Sequence, residues 1–308
     1  MTIRSMLVAT DLSVQDRWTL QRAWHIARAH GATVRLMYLP PAGQPMAATA
    51  AARLAQTVRE LEQAHGLRVQ VVAVRQEQSF DDLVAQARGA DLVVLPHRRE
   101  RSTAAFFRGQ PVLRLLRSAG RPVLVLRRAT NEHYRRILVA VDLLPGSAAL
   151  VQFAADLEER AGLEIFHAVG TREEAVLRSA EAAEKVVRAY RAGRLRRAQE
   201  RLVTLSDSFT ARRNRVLAMA GRGDPGRQAV VQQERSRADL VVLGKGRSSA
   251  WGDFFCGSVA HRVLSWGSSD VLVVPDAHLQ ASAQVAPRRI HEPSRPALAL
   301  STIGRRAP

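Results

Sequence analysis

Cysteine occurs once in this 308-residue chain, at Cys256, so no intrachain disulfide can brace the fold, and a reducing compartment is the natural setting. Lysine is almost as scarce: apart from Lys185 and Lys245, every one of the 46 basic side chains is arginine. Aromatic residues make up 5% of the chain, too few for the stacking platforms that hold single-stranded nucleic acid. No apolar run approaches the roughly 20 residues needed to cross a bilayer, which excludes a spanning helix. The opening MTIRSMLVATD runs straight into a strand-like stretch without a long apolar leader or a small-residue cleavage site. The expectation is a cytoplasmic protein with no membrane partner. Acids are also short, 28 against 46 bases, giving a formal net charge of +18. Such a charge raises the question of nucleic acid. Arginine spread over every helical segment reads as solvated faces, which disfavours nucleic acid and leaves an acidic protein partner open. The densest basic cluster is RAYRAGRLRRAQER, 188–201.

What the chain does have is a 46% apolar content, enough for packed cores, and an internal repeat. SMLVATDLS at 5–13 aligns with RILVAVDLLPGS at 136–147, pairing Asp11 with Asp142 at an offset of 131. Further on, Asp91 pairs with Asp239, Gly109 with Gly257 and Val123 with Val271, all at an offset of 148. The second copy has therefore gained 17 residues, which fall in the charged helical region from Thr171 to Ser206 and either lengthen a helix or form a lid.

Each copy alternates short β-branched runs with amphipathic helical patterns closed by glycine. The strands of the first are MLVATD, TVRLMYL, RVQVVAV, DLVVLP and PVLVLR; those of the second are RILVAVD, LEIFHAV, RVLAMA, DLVVLG and DVLVVP. Strands that are apolar throughout need helices on both faces, which predicts α/β architecture: two tandem Rossmann-like domains, each an open five-stranded parallel sheet. The expected division is 1–130, 131–276, and a basic tail at 277–308 that is rich in Pro, Ala and Arg, lacks periodicity and reads as disordered.

In open parallel sheets a ligand sits beyond the carboxyl ends of the strands, where the strand order reverses. Asp142 ends the first strand of its repeat and Gly244 the fourth; if those strands are neighbours, both reach one crevice. Glycines there let backbone N–H groups approach an anion, and Gly257-Ser258 would open the next helix, whose N-terminus favours phosphate. Asp142, an acceptor only, suits ribose hydroxyls or an adenine amine.

Asp142 after the first strand, GDP at 223–225, ADLVVLG and GSVAHRVLSWGSSDVLVVP together resemble the universal stress protein family in a tandem form, over roughly residues 1–275. The resemblance implies ATP, with or without Mg2+, at the strand ends; phosphates cradled by G-x2-G-x9-G-[ST]; and a regulatory or stress-protective role more than a defined catalytic one. It also implies pairing through the last strands, so that a tandem chain is an intramolecular pseudo-dimer, with a homodimer as a further assembly. Gly244, Gly257 and Ser258 match the motif. Its middle glycine falls on Arg247, with Gly246 one place early, so Arg247 either contacts phosphate or crowds the backbone. In the first repeat Pro96, Arg99 and Gln110 replace three of the four motif residues, which implies nucleotide in the second repeat only.

Other candidates read less sharply. GRGDPG at 221–226 spells a dinucleotide fingerprint, but it does not follow the first strand of its unit, and Pro225 with Asp224 reads as a capped helix start. Lys245 lacks a P-loop frame. Cys256 beside DFF reads as a packed residue, as do Trp251, Phe254 and Phe255. His167 reads as a satisfied structural histidine near the crevice, and Ser147 as a turn and cap that could join it. The histidines and acids show no metal-ligand spacing. No nucleophile, base and orienting acid can be assembled, so a slow ATP hydrolase is the weakest alternative. A nucleotide-independent protein that binds an acidic partner through arginine-rich surfaces is the stronger one.

Overall fold

The computed structural model describes residues 3–13, 16–40, 49–66, 68–73, 80–97, 111–128, 133–210, 216–245 and 259–285. The first half runs β1 (Ser5–Thr10), α1 (Asp16–His30), β2 (Thr33–Tyr38), α2 (Ala50–His65), β3 (Val69–Val71), α3 (Phe80–Arg88), β4 (Leu92–Pro96), α4 (Pro111–Ala119) and β5 (Val123–Leu126). The second runs β6 (Arg136–Ala140), α5 (Ser147–Leu157), β7 (Gly162–Val169), α6 (Arg172–Ser179), α7 (Glu184–Thr210), β8 (Val216–Arg222), α8 (Pro225–Ser236), β9 (Leu240–Lys245), α9 (Val259–Trp266), β10 (Asp270–Pro275) and α10 (Asp276–Val285).

All ten expected strands form, and they join one sheet in the order β3-β2-β1-β4-β5-β10-β9-β6-β7-β8. Pairing is parallel within each half. The halves meet through their last strands, where Val123, Leu124 and Val125 lie antiparallel to Val273, Leu272 and Val271. That is the pseudo-dimer the sequence resemblance implied. Side chains alternate across the sheet, so Met6 and Val8 enter the core on one face and Leu7 and Ala9 the core on the other. Helices close both faces: Trp24, Leu54 and Phe153 pack on the first, Leu83, Leu115 and Val263 on the second.

The repeated letters ADLVVL have a structural cause. Asp91, just before β4, accepts hydrogen bonds from the backbone N–H groups of Arg4 (2.9 Å) and Ser5 (3.0 Å). Asp239, just before β9, does the same for Arg135 (2.8 Å) and Arg136 (3.0 Å). Each carboxylate pins the start of its repeat's first strand to that of its fourth and sets the register that brings their far ends together. Helix stops follow the glycine signals: Gly66 ends α2 with φ 66° and donates its N–H to Glu62 at 2.8 Å.

Of the two readings left open for the extra residues of the second half, the longer helix is the one seen: α7 has 27 residues against 16 for α2, with the short α6 before it. One expectation needs correction. The segment read as a disordered tail begins as α10, because Leu279 is buried against α5 and His278 sets its ring edge-on to Phe153. An anchor of one or two side chains is too small to show in a tail's composition. Residues 286–308 lie outside the described residues.

The two halves are also joined by a buried polar cluster. Asp270, at the start of β10 and 0% exposed, accepts hydrogen bonds from the N–H groups of Arg127 (2.7 Å) and Arg128 (3.0 Å) and from the Tyr134 hydroxyl (2.9 Å). The buried Arg22 guanidinium lies 4.0 Å from Asp270 and 4.3 Å above the Tyr134 ring. The Arg127 side chain donates to the carbonyls of Leu264 and Gly267. Burial pushes the Asp270 carboxyl above its ordinary range even with these donors around it.

Candidate functional site

β6 and β9 are neighbours, with Ala140 opposite Leu243 in the last register pair. The chain leaves both strands at the same end of the sheet, so Asp142 and Gly244 flank one crevice and both are exposed. Gly246, Arg247, Gly257 and Ser258, together with Trp251, Phe254, Phe255 and Cys256, lie outside the described residues. The helix that Gly257-Ser258 was expected to open, α9, starts at the next residue, Val259.

The loop after β6 is built around Asp142. Its Oδ1 accepts the Leu144 N–H at 2.9 Å and the Ser147 hydroxyl at 3.1 Å, which fixes the carboxylate at the crevice mouth. Between them Leu143 holds φ 61°, a conformation unfavourable for a branched side chain. Leu12, its counterpart in the first half, holds φ 57°, and Asp11 Oδ1 there accepts the Ser13 N–H at 2.8 Å. Both leucines pack their side chains on the core, which holds the turn in place. Nothing in the sequence announced these turns, because leucine is not a residue that favours them. Ser147 is buried, and its N–H closes the turn onto Leu144 at 2.9 Å.

The two crevices differ where a ligand would lie. Ser147 of the second half corresponds to Asp16 of the first, at the offset of 131. Asp16 is buried, accepts hydrogen bonds from the Thr10 hydroxyl (2.9 Å) and the Asp11 N–H (2.8 Å), and has its carboxyl raised to about 6, by burial first and then by the charge of Asp11. A second carboxyl therefore occupies the place of a neutral hydroxyl, and Pro96 ends β4 where Gly244 stands in β9.

Glycines around the second crevice have distinct causes. A methyl group on Gly221 would stand 2.7 Å from the Phe166 ring, and one on Gly226 would stand 2.9 Å from Arg262, whose guanidinium reaches past it to Asp224. These glycines of GRGDPG serve close packing beside β8, the outermost strand, and Asp224 caps α8 by accepting the Arg227 N–H at 2.9 Å. The dinucleotide fingerprint is thus a packing motif. At Gly244, by contrast, a methyl group would meet among the described residues only ordinary contacts, 3.6 Å to Leu150 and 3.9 Å to Asp276, and φ is not positive. The described residues do not require glycine there. Its absent side chain leaves backbone exposed at the crevice.

α10 borders the same mouth, with Asp276 near Gly244 and Leu279 3.8 Å from the position of a methyl group on Gly146. His167 points its Nδ1 at the Val141 carbonyl at 2.8 Å and is a structural residue. Above the ends of β7 and β8, the buried Glu174 of α6 accepts hydrogen bonds from Arg222 (2.9 Å) and Arg191 (3.1 Å); these donors, Arg222 first, hold its carboxyl down at about 2. Among the described residues no group of three or more His, Cys, Asp or Glu side chains could hold a metal, and no helix is long and apolar enough to cross a membrane.

Comparison with known proteins agrees with this architecture. The model of the universal stress protein family matches residues 2–127 and again residues 133–275. A universal stress protein of Mycolicibacterium smegmatis is 26% identical over 295 residues, covering 87% of this chain and 96% of its own. Among solved structures, a putative universal stress protein from Pseudomonas aeruginosa is 20% identical with a TM-score of 0.63, covering 92% of this chain and 98% of its own. A universal stress protein from Archaeoglobus fulgidus is 14% identical with a TM-score of 0.61, covering 88% and 98%. At these identities the structural likeness is one of fold.

Proposed function

The chain belongs to the universal stress protein family, and from that premise we propose that its second half binds an adenine nucleotide, ATP with or without Mg2+, in a regulatory or stress-protective role. The observation that carries this is the adjacency of β6 and β9, which brings the Asp142 end of one strand beside that of Gly244, a glycine that the described residues around it do not need. Asp142 accepts hydrogen bonds from ribose hydroxyls or the adenine amine. Backbone N–H groups from Gly244 onward, with Gly246, Arg247, Gly257 and Ser258, cradle the phosphates, and the N-terminus of α9 adds its favourable dipole. The first half, with Pro96 and Asp16, is a structural partner.

The protein on this reading is a binding module. Nucleotide stabilises the folded state and orders the surface around the Gly244 to Ser258 loop, which changes what a partner meets. A thermal melt with and without ATP and Mg2+ tests it. At about 100 times Kd the gain is about 2.7 kcal/mol, and Gly257→Val removes it. A melt indifferent to millimolar ATP, in a protein that unfolds cooperatively, refutes it.

A second reading has its own support. On α7 the exposed Lys185, Arg188, Arg196, Arg197 and Arg201 outnumber the exposed Glu184, Glu200 and Asp207. A nucleotide-independent protein that docks an acidic partner on this face would bind it less tightly as salt rises.

A further inference from the structure

β8 is one end of the ten-stranded sheet, and among the described residues it pairs with β7 alone. Gly223, just beyond β8, donates its N–H to Val169 of β7 at 3.0 Å. Residues of a parallel strand turn their peptide groups alternately to one neighbour and the other, so those of Ala218 and Ala220 face the open edge. The strand is seven residues long and contains no proline; its one charged residue, Arg222, closes it and is held by Glu174, while Leu217 is 66% and Met219 47% exposed. Both project from the face that α8 packs over β7 and that it touches over β8 near Gly221 through Gln228; the other face of β8 is packed by α7. The opposite end of the sheet is guarded in the usual way, by brevity: β3 has three residues. An edge that is long, apolar and unbroken is a template for another strand.

The surrounding charge selects the occupant. The segment leading into β8 reads ARRNR, and the exposed face of the adjoining α7 is predominantly basic. A second copy of the chain would bring that same basic approach against itself, and the chain's own 286–308 segment, with five arginines against one acid, is basic as well. We propose that the open edge of β8 receives an extended, acid-flanked segment of a protein partner by strand addition, with alternate apolar side chains beside Leu217 and Met219. This surface lies at the sheet's edge and does not depend on nucleotide in the crevice.

The probe is a fluorescein-labelled peptide of sequence EDVTVTVTVDE, titrated with the full chain by fluorescence anisotropy. Saturable binding that weakens as salt rises is expected. Ala218→Pro removes an outward N–H and no bond to β7, and Leu217→Lys changes an exposed side chain. Each should weaken binding at least about fivefold, the equivalent of one edge hydrogen bond at roughly 1 kcal/mol, as should methylation of alternate peptide amides. The proposal is overturned if the wild-type chain shows no saturable binding, if Leu217→Lys binds equally well, or if lysines in place of the peptide's acids leave affinity unchanged. Self-association abolished by Leu217→Lys would also overturn it, by making a second copy the occupant.

Discussion

A methyl group added to Gly221 would stand 2.7 Å from the buried Phe166 ring, whereas one added to Gly244 would meet nothing closer than 3.6 Å among the described residues. The two glycines look alike as letters and differ in cause. Gly221→Ala is expected to lower stability by about 1–3 kcal/mol, the usual cost of overpacking, read from urea unfolding midpoints. Gly244→Ala should stay within about 0.5 kcal/mol of wild type and instead reduce the stabilisation by ATP. If Gly244→Ala unfolded more readily than Gly221→Ala, the assignment of one to packing and the other to a ligand would be reversed. The sequence made Asp142 and Gly244 legible because their neighbours are apolar strand residues, so a lone acid and a glycine at the strand ends stand out. It could not show the positive φ of Leu12 and Leu143, which is imposed by the packing of their side chains on the core.

At the scale of elements, the ten strands were legible because short β-branched runs bounded by glycine, proline and acids leave few alternatives. The cap of α8 was legible too, since Asp-Pro carries its own geometry. α6 was not, because its fixing residue, Glu174, finds Arg191 and Arg222 far along the chain. These arginines hold its carboxyl at about 2, against an ordinary 4.5. A carboxyl lowered in the folded state contributes stability that is complete above its ordinary value and is lost as pH falls through the folded one. Glu174→Gln should therefore be less stable than wild type near neutrality, and the gap should narrow from about pH 5 to about pH 3 as the unfolded chain takes up protons. Urea titrations of both proteins at a series of pH values measure the gap. A gap that is constant with pH would mean that Glu174 acts by shape and not by charge.

At the scale of the molecule, the antiparallel seam between β5 and β10 turns two repeats into one sheet, and the polar cluster beneath it is what the repeat pattern does not explain. Position 270 has Pro122 as its counterpart at the offset of 148, so this carboxylate has no equivalent in the first half and the cluster breaks the symmetry of the pair. Its members, Arg22, Arg127, Tyr134 and Asp270, are scattered along the chain and meet only because the seam brings the halves together. Asp270 is the member that the others share. Removing its carboxyl leaves the buried Arg22 without that counter-charge and the Tyr134 hydroxyl without its acceptor. Asp270→Ala is expected to cost about 3–5 kcal/mol, as for other buried pairs broken on one side. Asp270→Asn, which keeps an acceptor and loses the charge, should fall between that variant and wild type. Because the cluster spans both halves, the loss should appear in the unfolding of the whole chain, followed in parallel by circular dichroism and tryptophan fluorescence. Stability within about 0.5 kcal/mol of wild type for Asp270→Ala would mean that the apolar pairs of β5 and β10 hold the halves together unaided. The buried charges would then owe their place to something other than the seam.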